Sequence, residues 1–508
     1  MTTTKADILS WALISLAAEP YVVCVLGTYT PIFLEQIARE NGVLEKDHSS
    51  PCIAISQVVR GTHGDILEYS GELTQETQAC VLPMFGGRFY IDTSSYALYT
   101  FSLSVLIQTV CVLTINGIAD NSNLKKTLIV LFGCLGGLAT FFFFYLGNNN
   151  YYTASFLAIC ANISFGCVSV LMNAYLTIMV NNSSCSDTEV QRQELLLEQD
   201  NDQVISNSEA LGKIGSKISG VGTSTGYIAA MLLQVVFLLL MNYMTENGYD
   251  VFWSIKLVIS IAGLWWLIWQ APIAIFLKNI ESLQTKSMSI KEMVIQGYKE
   301  LGHVLINIRS LKDIYYYLLA MFVLTDSLTT INSTAILFGK TVLNMPVTSL
   351  AKIGVLVMIS AIAGSIVIPI VLIGKYGCRV EKVQLLLVLW CLCVPLYGIF
   401  ALTSAFEMYV LAVWYGLGLG GLSTINRSIY SIIIPEGKEN IFFSIYSLTD
   451  RTSSIVGPFV VGLIINIFHN VRGAFWILTA LLLISIPILS VKFDLDRARS
   501  ESFNFGLD

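Results

Sequence analysis

Residues 251–276 read VFWSIKLVISIAGLWWLIWQAPIAIF, with one formal charge, Lys256, in the whole run. As a helix it reaches about 39 Å at ~1.5 Å per residue, more than the ~30 Å of a bilayer's hydrocarbon core. It reads as a helix, because lipid offers no partner to open backbone groups and barrel strands are only about 10 residues long. Working outward, comparable runs lie at 11–34, 94–118, 127–146, 153–180 and 218–241 before it. After it they lie at 313–338, 350–373, 383–404, 407–434, 442–467 and 473–491. The composition agrees: 55% of the 508 residues are apolar and 13% charged, with a mean hydropathy of +0.68. A soluble domain carries about 25% charged residues, so this chain lacks the charge to cover several cores with a wettable surface. The expected fold class is an all-α membrane protein of about 12 transmembrane helices. The first run has no small-residue cleavage site and is too long for a signal-peptide core, so it is expected to be retained.

Six runs, a polar basic stretch at 277–312 and six more runs predict two halves. These are 1–276, with a far-side loop at 39–92 and a cytosolic loop at 181–217, and 313–508 with a cytosolic tail. Such pairs of halves are common among transporters. Lys and Arg set the orientation. With the amino terminus in the cytosol, 19 of the 29 basic residues fall on the cytosolic side and 6 on the other. Both termini are therefore expected to be cytosolic. The far-side loop holds Cys52 and Cys80, and the other nine cysteines lie in spans or on the cytosolic side. A Cys52–Cys80 disulfide is expected if that loop meets an oxidising lumen; two free thiols are the alternative. The sequons at Asn162, Asn181, Asn182, Asn332 and Asn426 fall in spans or on the cytosolic side, so none is expected to carry sugar.

Charges within the bilayer cost several kcal/mol (roughly 3 at the helix centre) unless paired or hydrated, which makes them candidates for function. Glu19 lies about 12 Å into span one, and Pro20 after it frees backbone groups. Asp326 sits at mid-depth of span seven in Thr325-Asp326-Ser327-Leu328-Thr329-Thr330-Ile331-Asn332-Ser333-Thr334, the most polar stretch within any span. Glu19, Asp326 and Asn332 form the candidate substrate or proton site. A zwitterion's ammonium group wants a carboxylate, and its carboxylate wants an arginine or a helix amino terminus. Burial also raises a carboxyl pKa toward the range of an acidic lumen, so proton carriage is a second use. The alternative for both acids is interhelical pairing that touches no substrate. Arg427 and Asp450 lie at similar depth in spans ten and eleven and are read as a structural or gating ion pair.

Soluble chemistries leave no trace. There is no Walker A loop, no HExxH or paired CxxC metal spacing and no GxSxG elbow, so neither an ATP-driven pump nor an enzyme, metal site or cofactor is expected. No basic patch points to nucleic acid. Gly117-Ile118-Ala119-Asp120 followed by Lys125-Lys126 resembles the loop motif of the major facilitator superfamily, in which a glycine, an acid and basic residues brace the cytosolic gate. The usual second glycine is missing. Gly457-Pro458 with Gly462 resembles that superfamily's packing motif.

Several further stretches resemble the fungal autophagy-related protein 22 family. They are Ala18-Glu19-Pro20-Tyr21-Val22-Val23, Asp92-Thr93-Ser94-Ser95-Tyr96-Ala97-Leu98-Tyr99 and Trp265-Trp266-Leu267-Ile268-Trp269-Gln270. The Asp326–Thr334 stretch, Trp414-Tyr415-Gly416 through Gly420-Gly421-Leu422-Ser423 and Pro435-Glu436-Gly437-Lys438-Glu439 complete the set. The resemblance implies a major-facilitator-like fold in the vacuolar membrane and efflux to the cytosol of amino acids released by autophagic breakdown in nitrogen starvation. Leucine, isoleucine and tyrosine are its implied cargo, with free amino acids, protons and the bilayer as implied partners. The family supplies no motif that maps onto a substrate contact. The rival reading is a multi-pass scaffold or nutrient sensor that docks partners through 181–217 and 277–312.

Overall fold

The computed structural model describes residues 4–44, 48, 50–52, 80–120, 122–194, 202–279, 289–307, 311–343, 345, 347–435, 441–446, 449–450 and 472–507. Among them are 11 helices long and apolar enough to cross a membrane. Spans one to six are Lys5–Glu40, Thr93–Asp120, Lys125–Tyr145, Tyr151–Glu194, Asp202–Glu246 and Val251–Phe276. Spans seven, nine and ten are Lys312–Thr341, Val380–Phe400 and Ala405–Ile433. Span eight (Val347–Ile368) continues through Pro369–Lys375, and span twelve (Arg472–Pro487) through Ile488–Lys492. Most of the eleventh run, 442–467, with Gly457, Pro458 and Gly462, lies outside the described residues.

Local chemistry sets the helix ends and bends. Thr4 and Ser404 close capping boxes with Asp7 and Glu407, satisfying orphan N–H groups at the starts of spans one and ten. Proline has no N–H to donate to the carbonyl four residues before it, and the helix widens beside each of three of them. π-helical turns follow Pro20 and Pro487, and another begins at Pro369. The wide turn in span one therefore starts two residues after Glu19.

The polar segments are more ordered than hydropathy suggests. The loop expected at 181–217 is largely helix, because spans four and five run on to Glu194 and start at Asp202. The 277–312 stretch contains a helix, Ile290–Asn307, and the tail contains another, Leu495–Leu507. In the far-side loop, β1 (Val43–Leu44), β2 (Cys80–Met84) and β3 (Phe89–Asp92) form an antiparallel sheet in the order β1-β2-β3, with Val43 opposite Val81 and Leu82 opposite Ile91. Cys52 is disulfide-bonded to Cys80, their Cα atoms 6.1 Å apart.

The first half packs span one on five and six, two on four, and three on four and six. In the second, eight packs on ten, nine on ten and twelve, and twelve on seven. Each half's leading helix is clasped near its start to a cation just beyond its last span. Asp7 pairs with Lys278 at 2.8 Å, and Asp313 is held by Arg497 through Nε at 2.5 Å and Nη2 at 2.7 Å. Spans 2 and 4 pack together as 8 and 10 do, and spans 3 and 6 as 9 and 12 do.

Candidate functional site

Glycine builds the site's first wall. In span five, a Cβ at Gly226 would stand 2.4 Å from Cγ of Glu19, and one at Gly222 2.5 Å from the Trp11 ring. Span one therefore lies directly on span five, as small residues allow. Trp11 Nε1 donates to the Met172 carbonyl at 2.8 Å, and Trp265 Nε1 to the Leu16 carbonyl at 2.9 Å. Glu19 is thus fixed on the inner side of span one, half-buried against Gly226.

The next residue in span five, Tyr227, is where the halves meet. Its hydroxyl lies 3.3 Å from Oγ of Ser423 in span ten. It also lies within electrostatic reach of Glu19, Arg427 and Asp450. Arg427 is one helical turn beyond Ser423, half-buried, and its Nη1 has no hydrogen-bond partner among the described residues. Arg427 and Asp450 both act on Tyr446 as well, so they occupy one neighbourhood. One acid from the first half and an arginine and an acid from the second therefore act electrostatically on a single tyrosine. Sequence reasoning identified the three charges but missed Tyr227 and Ser423. The available signal was the Gly222-x-x-x-Gly226 spacing, which marks span five as a crossing surface.

The other expected site residues lie on spans two, three and seven. Asp326 is buried in span seven, with Thr330 and Thr334 at the same helical spacing on that face, also buried. Asn332, about 9 Å further along the axis, is exposed and points away from that face. It borders an apolar cavity inside the second half, between Ile331, Val357, Leu411, Tyr415 and Phe475, apart from Tyr227. Gly117 serves a close helix crossing. A Cβ there would meet the Met293 carbonyl at 2.8 Å and Cα of Gly297 at 3.0 Å, in the helix that links the halves. Lys125 is buried and Lys126 half-buried at the start of span three; the side chain of Asp120 lies outside the described residues.

Several contacts between halves fall within residues 212–227 of span five. Gly212 faces Val380 and Gly215 faces Ser428. Ser219 Oγ donates to the Thr424 carbonyl at 3.0 Å, and Gly220 lies against the Ser365 carbonyl. Asn116 of span two bonds Ser444. All lie toward the end that carries Asp7, Lys278 and the carboxy-terminal helix. Among the described residues, these contacts and the Tyr227–Ser423 pair join the halves.

Most quoted resemblance motifs pack helices. Trp266 is fully buried against Gly136 and 5.1 Å from Tyr21, and Gln270 fills the space left by Gly133. Gly416 and Gly420 let the backbone of span eight onto span ten: a Cβ at Gly420 would stand 1.9 Å from the Ala361 carbonyl oxygen. Trp390 and Trp414 stack at 3.7 Å, each indole donating to the other's carbonyl at 2.9 Å.

The family described as "Vacuole effluxer Atg22 like" matches residues 3–502. Autophagy-related protein 22 of Pichia angusta is 42% identical over 98% of this chain and 94% of its own length. The protein of that name from Saccharomyces cerevisiae (S288c) is 34% identical over 98% and 93%. Among solved structures, the major facilitator superfamily transporter FucP in the outward conformation superposes with a TM-score of 0.60. It is 13% identical and covers 96% of this chain and 100% of that one. The proton:xylose symporter XylE also gives 0.60, at 12% identity and 98% coverage of both chains.

Proposed function

We propose, for a chain that belongs to the vacuole effluxer Atg22-like family and has the major facilitator fold, that its cargo is the free amino acid. Family and fold are those of a vacuolar, multi-pass membrane transporter of small molecules. The amino-acid reading rests on one observation: Glu19 beside Gly226 and Arg427 one turn from Ser423 flank the Tyr227–Ser423 contact from opposite halves, and both act electrostatically on Tyr227. A zwitterion carries an anion and a cation, and Glu19 with Arg427 supplies one complementary charge from each half. Glu19 receives the ammonium group. Arg427, with its unpartnered Nη1, receives the carboxylate through charge-assisted hydrogen bonds. Tyr227 and Ser423 add hydroxyls at the same point.

Because the two charges belong to different halves, substrate binding couples to their relative motion, which is what alternating access requires. The end with the termini carries the contacts described between the halves, and the excess of Lys and Arg there supports a cytosolic placement. The described state then receives cargo from the lumen, and rocking about Tyr227 releases it to the cytosol. The buried Asp326 remains a candidate proton carrier for exit driven by an acidic lumen. Large neutral amino acids freed by autophagic degradation are the expected cargo, and their release sustains protein synthesis in nitrogen starvation. The test is release of labelled leucine from isolated vacuoles; equal release from vacuoles lacking the protein overturns the reading.

A further inference from the structure

The carboxy-terminal helix, Leu495–Leu507, straddles both halves. It packs on span five of the first half and on spans seven and ten of the second. Leu495, Ala498 and Ser502, spaced as one helical face, are buried. Ion pairs at Arg497 and Asp496 hold it. Arg497 grips Asp313, whose side chain is fully buried, and Asp496 bonds Arg379 beside the start of span nine. The N–H of Asp494 donates to Asp313 at 3.0 Å, and Glu501 accepts from the Asp313 N–H at 3.3 Å. The strap therefore lies across the end where the halves are joined.

Ser500 sits on its exposed face, one turn from Arg497, whose carbonyl accepts its hydroxyl at 2.8 Å. The local sequence is Arg497-Ala498-Arg499-Ser500, with guanidinium groups three and one residues before the hydroxyl. We propose that Ser500 is a phosphorylation site for a kinase that reads upstream arginines, and that the phosphate releases the strap from both halves. In the transfer, Ser500 Oγ bonds to the γ-phosphorus of ATP as the β–γ bridging bond breaks. ADP leaves, and the hydroxyl proton passes to the kinase's carboxylate base.

The added charge acts on both ties. A phosphate at Ser500 lies one helical turn from Asp496, where like charges repel, and this weakens the Arg379 tie. It lies equally close to Arg497, which it draws from Asp313, leaving a buried carboxylate without its cation. The inference rests on the cytosolic placement of this end, where ATP is present.

The test uses the purified full chain in detergent micelles, where either end is reachable and no transport is needed. The chain is treated with an arginine-directed serine kinase and magnesium ATP. Mass spectrometry is expected to find phosphate on Ser500 and none on that peptide in Ser500→Ala. Amide exchange across 495–507 is expected to speed up at least tenfold in the phosphorylated chain and in unphosphorylated Arg497→Gln, and to stay unchanged in kinase-treated Ser500→Ala. A chain left unmodified at Ser500, or a phosphorylated chain exchanging at its original rate, overturns the proposal. Neither result bears on amino-acid transport.

Discussion

Replacing Arg427 with glutamine removes the cation assigned to the substrate carboxylate and leaves a shorter, neutral side chain that still offers an N–H donor. The guanidinium sits at the Tyr227 junction with Nη1 unpartnered, so a carboxylate arriving there gains charge-assisted hydrogen bonds that glutamine does not supply. Such a bond contributes about 1.5–3 kcal/mol. At ~1.4 kcal/mol per tenfold, Arg427→Gln should weaken leucine binding about 10- to 150-fold. The assay is competition for labelled leucine uptake into proteoliposomes by leucine and by isoamylamine, its analogue without the carboxylate. The wild-type protein should prefer leucine by that factor, and the variant should bind the two nearly equally. The comparison separates a substrate contact from a structural role, because a misfolded site weakens both ligands alike. Equal weakening of both, or unchanged leucine binding, refutes the assignment.

Other perturbations follow from the same geometry. Glu19→Gln should give the mirror pattern, losing leucine affinity while leaving 4-methylpentanoate, which has no ammonium group, unaffected in the same competition. Gly420→Val sets a Cβ where the Ala361 carbonyl oxygen stands, 1.9 Å away, and rigid backbone cannot yield as a side chain end would. Overpacking of about 1–3 kcal/mol or more should lower the melting temperature by scanning fluorimetry, with little folded protein recovered. Trp414→Phe removes one of two reciprocal indole bonds. It should cost ~0.5–1.5 kcal/mol, read in the same melt, and leave leucine KM unchanged. Cys52→Ser opens the bridge across a 28-residue separation. The chain-entropy relation puts its contribution at about 3–4 kcal/mol, so the 39–92 loop should be cut by protease far sooner in the variant.

Hydropathy made the spans legible because crossing a bilayer is a local demand: each helix must be apolar whatever its neighbours are. The disturbance after Pro20 was legible in the same way, from a missing N–H. The linking and carboxy-terminal helices were not. Their order comes from tertiary contacts, Gly117 against Gly297 in one case and Asp313 with Arg497 in the other. Composition shows only polar sequence there. In the candidate site, charge singled out Glu19, Arg427 and Asp450, since any ionised group in lipid is conspicuous. Tyr227 and Ser423 are ordinary span residues until spans five and ten are brought together. Asn332 stood out through its polar neighbours along span seven, yet helical rotation turns it away from the Asp326 face. Sequence adjacency within a helix does not place two side chains on one surface.

The most direct test of amino-acid carriage through the junction of the halves is leucine counterflow in proteoliposomes made with the purified chain alone. Vesicles loaded with unlabelled leucine and diluted into labelled leucine should show a transient overshoot of label. Arg427→Gln and Glu19→Gln, incorporated at equal density, should show a reduced one. Absence of an overshoot with the wild-type protein, or overshoots in both variants equal to it, contradicts carriage at this site.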